Sequence, residues 1–202
     1  MTFAWRAGVV IATATTALAF GTGTAVSVDN MFPNYGWQCY DGTMSNGTFC
    51  QTDNNSFTVW NQGTVPNSVK TTIRNTITAQ YNPTDLNVSY ASKGTYTGGS
   101  ETDLVNQSGA LPADTIGITW CDDAVTTLRC DQHYVRYNSS TAEVGPINGS
   151  DVCHETGHSV GLAHGRDSNP RISNTHSSLG CMSTNDVYSL GSMNRTNIKN
   201  VY

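Results

Sequence analysis

The chain has 202 residues, the length of one ordinary domain and too short for two large ones. Apolar residues make up 37% and charged residues 12%, while Thr, Ser and Asn fill 66 positions, so the polarity of this chain is mostly uncharged. A net charge of −5 with no basic cluster argues against a nucleic-acid phosphate tracker or a polybasic membrane binder, and nine Tyr, four Trp and five Phe argue against wholesale disorder.

The N-terminus has the order of a secretory signal. Arg6 is the only charge in the first 28 residues, an apolar and small-residue run follows over 7–20, and Gly23-Thr24-Ala25 offers a cleavage site. The run is too short and too rich in Thr for a membrane span of about 20 residues. The expected layout is therefore a signal peptide over 1–25 and one domain over 26–202, secreted and extracellular, with no membrane partner once the signal is removed. Six Cys, an even number, suit that oxidising compartment.

Residues 28–55 are turn-rich, with Asp41-Gly42 and Asn46-Gly47, and read as a hairpin stapled by Cys39 and Cys50. Ser56 to Trp60 reads as a strand. Pro66-Asn67 opens a helix whose buried face is Val69, Ile73, Ile77 and Tyr81, at four-residue spacing, and Asn82-Pro83 stops it. Leu86, Val88 and Tyr90 alternate with polar residues as a half-buried strand does. Short strands are expected near 102–105, 115–120 and 133–137, with Cys121 and Cys130 bracketing the turn between the last two. Ser150-Asp151 is read as the cap of a helix reaching Gly161, and a final helix is expected over 194–202. Strands interleaved with helices indicate a three-layer α/β core.

Chemistry is concentrated in Cys153-His154-Glu155-Thr156-Gly157-His158-Ser159-Val160-Gly161-Leu162-Ala163-His164, which holds three of the five His. His154 and His158 lie four apart, so a helix projects both imidazoles from one face, as two nitrogen ligands of one Zn²⁺ require. Glu155 is displaced about 100° around the helix and flanks the metal, where it can take a proton from a water. Gly161 can adopt positive φ and end the helix, swinging His164 back as a third ligand and leaving a fourth position for water. At this His and Glu content the whole pattern arises by chance in fewer than about one in 10⁵ such sequences. A structural zinc site closes its fourth position with Cys or His and has no use for Glu155.

At these residues the chain resembles the metzincin superfamily of zinc peptidases, most closely the small secreted bacterial enzymes related to snapalysin and the matrixins. The resemblance implies a zincin-like α/β (α+β) domain: a twisted, mostly parallel sheet with helices, a Met-turn and a C-terminal helix. It places Met182, in Leu179-Gly180-Cys181-Met182-Ser183, under the histidine rings as an apolar floor. Snapalysin-type enzymes use Asp as third ligand, whereas this chain has His164, as matrixins do; Gly165 stands where matrixins favour Ser. There is no Pro-Arg-Cys-Gly switch segment. Cys39 as a latency ligand is the lesser reading beside its pairing with Cys50.

Six Cys allow 15 pairings. Sequence proximity favours Cys39–Cys50 and Cys121–Cys130, which leaves Cys153–Cys181 to clip the zinc helix to the Met182 turn. Cys153 or Cys181 as a thiolate ligand would spoil the open coordination site. His176 and Tyr188 lie near the motif without a geometric argument, and His133 sits in an expected strand. No acidic loop has the EF-hand spacing, so Ca²⁺ is left open. The reading is a monomeric zinc endopeptidase with one Zn²⁺, His154, His158 and His164 as ligands and Glu155 as general base, acting on protein or peptide laid along the 115–120 edge. The rivals are a zinc hydrolase of cell-wall peptide amides and a non-catalytic, zinc-stabilised binding module.

Overall fold

The computed structural model describes residues 27–33 and 36–202, so the expected signal segment, 1–25, lies outside the described residues. Six strands form one sheet: β1 (Gln51–Thr52), β2 (Ser56–Asn61), β3 (Asn87–Tyr90), β4 (Leu104–Gly109), β5 (Gly117–Ala124) and β6 (Arg129–Asn138). Across the sheet they run β3-β2-β4-β6-β5, with β1 in line with β4 along the same edge of β6. All neighbours are parallel except β5, which pairs antiparallel with β6 and so ends the sheet. A parallel pair needs a crossover, and α1 (Asn67–Gln80) supplies the one between β2 and β3.

Alternation decides which face is covered. Phe57 and Val59, Leu104, and Val135 and Tyr137 share one face of the sheet and are fully or almost fully buried. Against them pack Ile73, Ile77 and Tyr81 from α1 and its end, and Val152 and Cys153 from α3 (Gly149–Ser159). Burying one such Ile contributes about 1.5–3 kcal/mol. The Tyr81 hydroxyl donates to the Cys153 carbonyl, joining the helices. Because α1 and α3 share one core on one face, the helices make a single layer, and the three-layer expectation is corrected. On the opposite face Trp60, Trp120 and Tyr134 take the alternate positions; Trp120 stacks on Tyr134, and Tyr96 of the β3–β4 connection meets Trp60 edge-on.

Three local expectations change. The described residues of 28–55 form no hairpin: apart from the Thr43–Gly47 turn, their backbone bonds go outward. Cys39 N–H donates to Thr127, Gly42 N–H to the Cys121 carbonyl, and the Thr48 carbonyl accepts from Cys121. Met31 bridges Leu162 instead. The cap of α3 is Asn148, two residues before the expected Ser150: its side chain accepts from Ser150 and Asp151 N–H while Asp151 accepts from Asn148 N–H, a reciprocal capping box. The last helix, α4, spans Gly191–Lys199, three residues earlier than expected, and a four-residue helix α2 (Thr141–Val144) that the sequence reading lacked precedes α3.

Buried asparagines dock α4 onto the loops of the site. Asn194 Nδ2 donates to the carbonyls of Leu179 and Leu190, at 2.6 and 2.7 Å. Asn197 Nδ2 donates to Asn30 Oδ1, and Asn30 Nδ2 to the Ala163 carbonyl, at 2.7 and 2.8 Å. Cys39 is bonded to Cys50, Cys121 to Cys130 and Cys153 to Cys181. No described helix is long and apolar enough to cross a membrane.

Candidate metal centre

The helix α3 ends where the chemistry needs it to end. Gly161 adopts φ +92°, its N–H donates to His158 O and the next N–H, of Leu162, donates to Gly157 O, the two bonds of a Schellman turn. A side chain at 161 would in any case strike Gln51 and Met31 at 2.9 Å. The chain reverses and His164 returns to the two helical histidines. His164 Nε2 lies 2.9 Å and His158 Nε2 3.2 Å from His154 Nε2.

Outer contacts fix the rings. His154 Nδ1 lies 2.7 Å from the Cys181 carbonyl and His158 Nδ1 2.8 Å from the Leu162 carbonyl. A carbonyl only accepts, so both Nδ1 atoms carry the proton and both Nε2 lone pairs face the common point. Burial, then the neighbouring His154 and His164, hold the His158 pKa well below its ordinary value; burial, then His154, pushes that of His164 down to about 4. Neutral imidazoles are the ligand form. Three nitrogens on a tetrahedral Zn²⁺ at about 2.0–2.1 Å stand roughly 3.3 Å apart, so the donor set fits that ion with little movement.

Glu155 is 8% exposed and faces β5. Thr119 Oγ1 sits 2.6 Å from Glu155 Oε2 and donates to it. At Gly117 a Cβ would lie 2.7 Å from Glu155 Cδ and Cγ, so the carboxylate occupies the space that the missing side chain leaves. Burial pushes the Glu155 pKa up, opposed by His154 and the Thr119 hydrogen bond and assisted by Asp151. A cleft of about 670 Å³ opens in front of His154 and Glu155, walled by Gly117, Asp151, Ser183 and Asp186.

Met182 is fully buried, and its Sδ fills the space where a Cβ on Gly157 would lie, beneath α3. It follows Gly180, whose φ of +52° and contact with the Leu190 carbonyl admit no side chain. Sequence reasoning missed Thr119, Gly117 and Phe49, whose ring packs 4.5 Å from that of His158. Nothing local to β5 announces the first two; their signal is register, since Gly117, Thr119 and Cys121 face α3 together.

The other sequence candidates stand apart. His176 caps a 3-10 turn, accepting from Ser178 N–H, outside the three-histidine group. Tyr188 is 57% exposed, its hydroxyl near Asp186. His133 is fully buried, takes the Cys50 N–H on Nε2, and has its pKa lowered to about 3 by burial. Cys39, Cys153 and Cys181 are consumed in disulfides, which removes the thiolate-ligand and latency readings. Away from the histidines, Glu101, Asp123 and Asp131 bring carboxylate oxygens within 4.8 Å of one another.

No protein-family model matches the chain, and no curated protein matches it significantly. The assignment therefore stands on geometry: a mixed α/β domain with a mostly parallel sheet carries, at the end of α3, a histidine cluster able to hold a metal ion.

Proposed function

We propose that the protein is a secreted, zinc-dependent endopeptidase of the metzincin type. The observation that carries the reading is the juxtaposition of three converging Nε2 atoms with the Glu155 carboxylate at the mouth of one cleft. His154, His158 and His164 would hold the ion. When bound, Zn²⁺ supplies a Lewis acid that acidifies a water and polarises a carbonyl. Thr119 occupies Glu155 Oε2, which leaves Oε1 to take the proton of the attacking water and pass it to the leaving amine nitrogen. Met182 acts as the floor of a Met-turn, tied to the ligand helix through Cys153–Cys181.

The substrate lies extended along β5. Ile116 O accepts from Asn138 N–H beside β6, while Cys121 bonds to Gly42 and Thr48 on the other side, so alternation turns the backbone of Gly117 and Thr119 outward. Those groups suit strand addition by a peptide. A non-catalytic module kept folded by zinc gives no reason for a buried carboxylate held beside the ligands.

Glu155→Gln tests the reading. It should bind zinc as the parent does and lose peptidase turnover by about 10²–10⁴, while chelation abolishes the parent's activity and added Zn²⁺ restores it. Near-parental turnover by the variant, or activity untouched by prolonged chelation, refutes it.

A further inference from the structure

The free edge of β5 stops abruptly. At Cys121 both backbone groups are already taken: its N–H donates to Thr48 O at 2.7 Å and its carbonyl accepts from Gly42 N–H at 3.0 Å. Between the cleft and that block, Gly117 and Thr119 alone among the described residues present outward-facing backbone to an incoming strand. Antiparallel addition is the more stable mode per residue, and it runs the incoming chain from Thr119 towards Gly117. The N-terminal portion of a bound peptide then points at the 42–48 segment, and its C-terminal portion at the cleft beside His154.

At the block lies a second hollow, of about 440 Å³, walled by Trp37, Tyr40, Thr48, Phe49 and Thr119, with no charged residue among the described residues of its lining. Trp37 and Tyr40 are 43% and 48% exposed, and Trp37 meets Phe49 edge-on at 6.3 Å. Phe49 in turn packs on His158, so the aromatic wall is continuous with the metal centre. The wall is anchored by Cys39–Cys50 and by the Cys39 N–H to Thr127 bond. Aromatic faces this exposed, at the closed end of a peptide-binding edge, suit an aromatic or bulky aliphatic side chain and offer nothing to a charged one.

We propose that this hollow is the terminal subsite of a short groove. The protein reads about three residues on the N-terminal side of the bond it cleaves, the span of Gly117–Thr119 at about 3.4 Å per residue, and the outermost of them is aromatic or bulky aliphatic. This rests on the peptidase reading and adds the substrate class to it.

The test uses the zinc-loaded wild-type protein and quenched fluorescent peptides sharing one cleavage site, with one, two, three or five residues before it. The expected result is a kcat/KM that climbs to three residues and is flat from three to five. Phe at the third position should exceed Asp there by at least tenfold, and Trp37→Ala should bring that ratio towards one. Trp37 is half-exposed, and the length series needs no variant, so a folding defect in Trp37→Ala leaves the proposal open to refutation. A continued rise from three to five residues, or equal rates for Phe and Asp in the wild type, overturns the groove while leaving the peptidase reading intact. So does a ratio that survives Trp37→Ala. Failure to cleave any peptide, together with inactivity on whole protein substrates, overturns both.

Discussion

Gly117→Ala separates catalysis from folding better than any ligand substitution. The new Cβ would lie 2.7 Å from Glu155 Cδ and 2.8 Å from Oε1, whereas ordinary contact begins near 3.4 Å, so the carboxylate must retreat by about 0.7 Å. Gly117 is not in the left-handed region and the obstacle is a side-chain end, so the side chain yields before the backbone and the stability cost should be about 1–3 kcal/mol. The histidines are untouched, so zinc affinity should be unchanged. A misplacement near 1 Å in a catalytic group costs up to about 10²-fold, and turnover should fall by roughly 10–100-fold. Gly109→Ala is the control, because its Cβ meets Arg136 at an ordinary 3.5 Å. The assays are kcat on a cleaved peptide, zinc titration after chelation, and thermal unfolding. Parental kcat in Gly117→Ala, or loss of zinc binding with kcat, would refute the placement of Glu155 against β5.

Three further outcomes follow from the same contacts. His164→Ala should bind zinc far more weakly and cleave nothing, whereas His176→Ala should titrate normally; the reverse pattern would overturn the ligand set. Replacing both Cys153 and Cys181 by Ala opens a 28-residue loop and should lower stability by about 3–4 kcal/mol in urea unfolding, with a smaller loss of zinc affinity than His164→Ala. Asp103 is buried beside Thr58 and Thr52, and burial pushes its pKa up from 3.8 to about 6, with Asp53 adding to the rise and the Thr58 bonds opposing it. A carboxyl that is harder to ionise when folded costs stability as pH rises, beginning near its unfolded pKa of about 3.9 and levelling off above about 6, a loss of about 3 kcal/mol. Asp103→Asn should remove that slope in denaturant titrations at pH 4.5 and 7, and an unchanged slope would place the effect elsewhere.

The three-histidine cluster was legible because each of its parts is local. Four-residue spacing puts His154 and His158 on one helix face, and a glycine at 161 is enough to predict a reversal. The α1 face was legible for the same reason, through Ile73 and Ile77. What failed was non-local. The segment 28–55 carries hairpin-like turns, yet it bonds to the β5–β6 hairpin and to Leu162, partners more than 70 residues away that no turn chemistry announces. Asn148 lost the cap to Ser150 on paper because Ser-Asp is itself a good cap. The capping box settles the boundary through Asp151, read as part of the cap when it is the third residue inside. Thr119 and Gly117 looked like unremarkable strand residues until register set them against Glu155.

Histidine orientation shows why these non-local parts matter. His158 is clamped by Leu162, four residues on and delivered by its own helix-ending turn, so this ring is fixed by local geometry. His154 is clamped by Cys181, 27 residues away, on a turn that would not stay in place by propensity. That carbonyl is held from three sides: by the bond from Cys181 to Cys153, by Cys181 N–H donating to Ser189 O, and by Asn194 gripping the neighbouring Leu179 carbonyl from α4. Outer contacts of this kind are worth about 10–100-fold in metal affinity, so under the proposed reading the last helix and the third disulfide would act on a bound metal without touching it. The ordering expected under progressive reduction or C-terminal truncation is therefore loss of zinc affinity through His154 first, with the Schellman turn and His158 still in place.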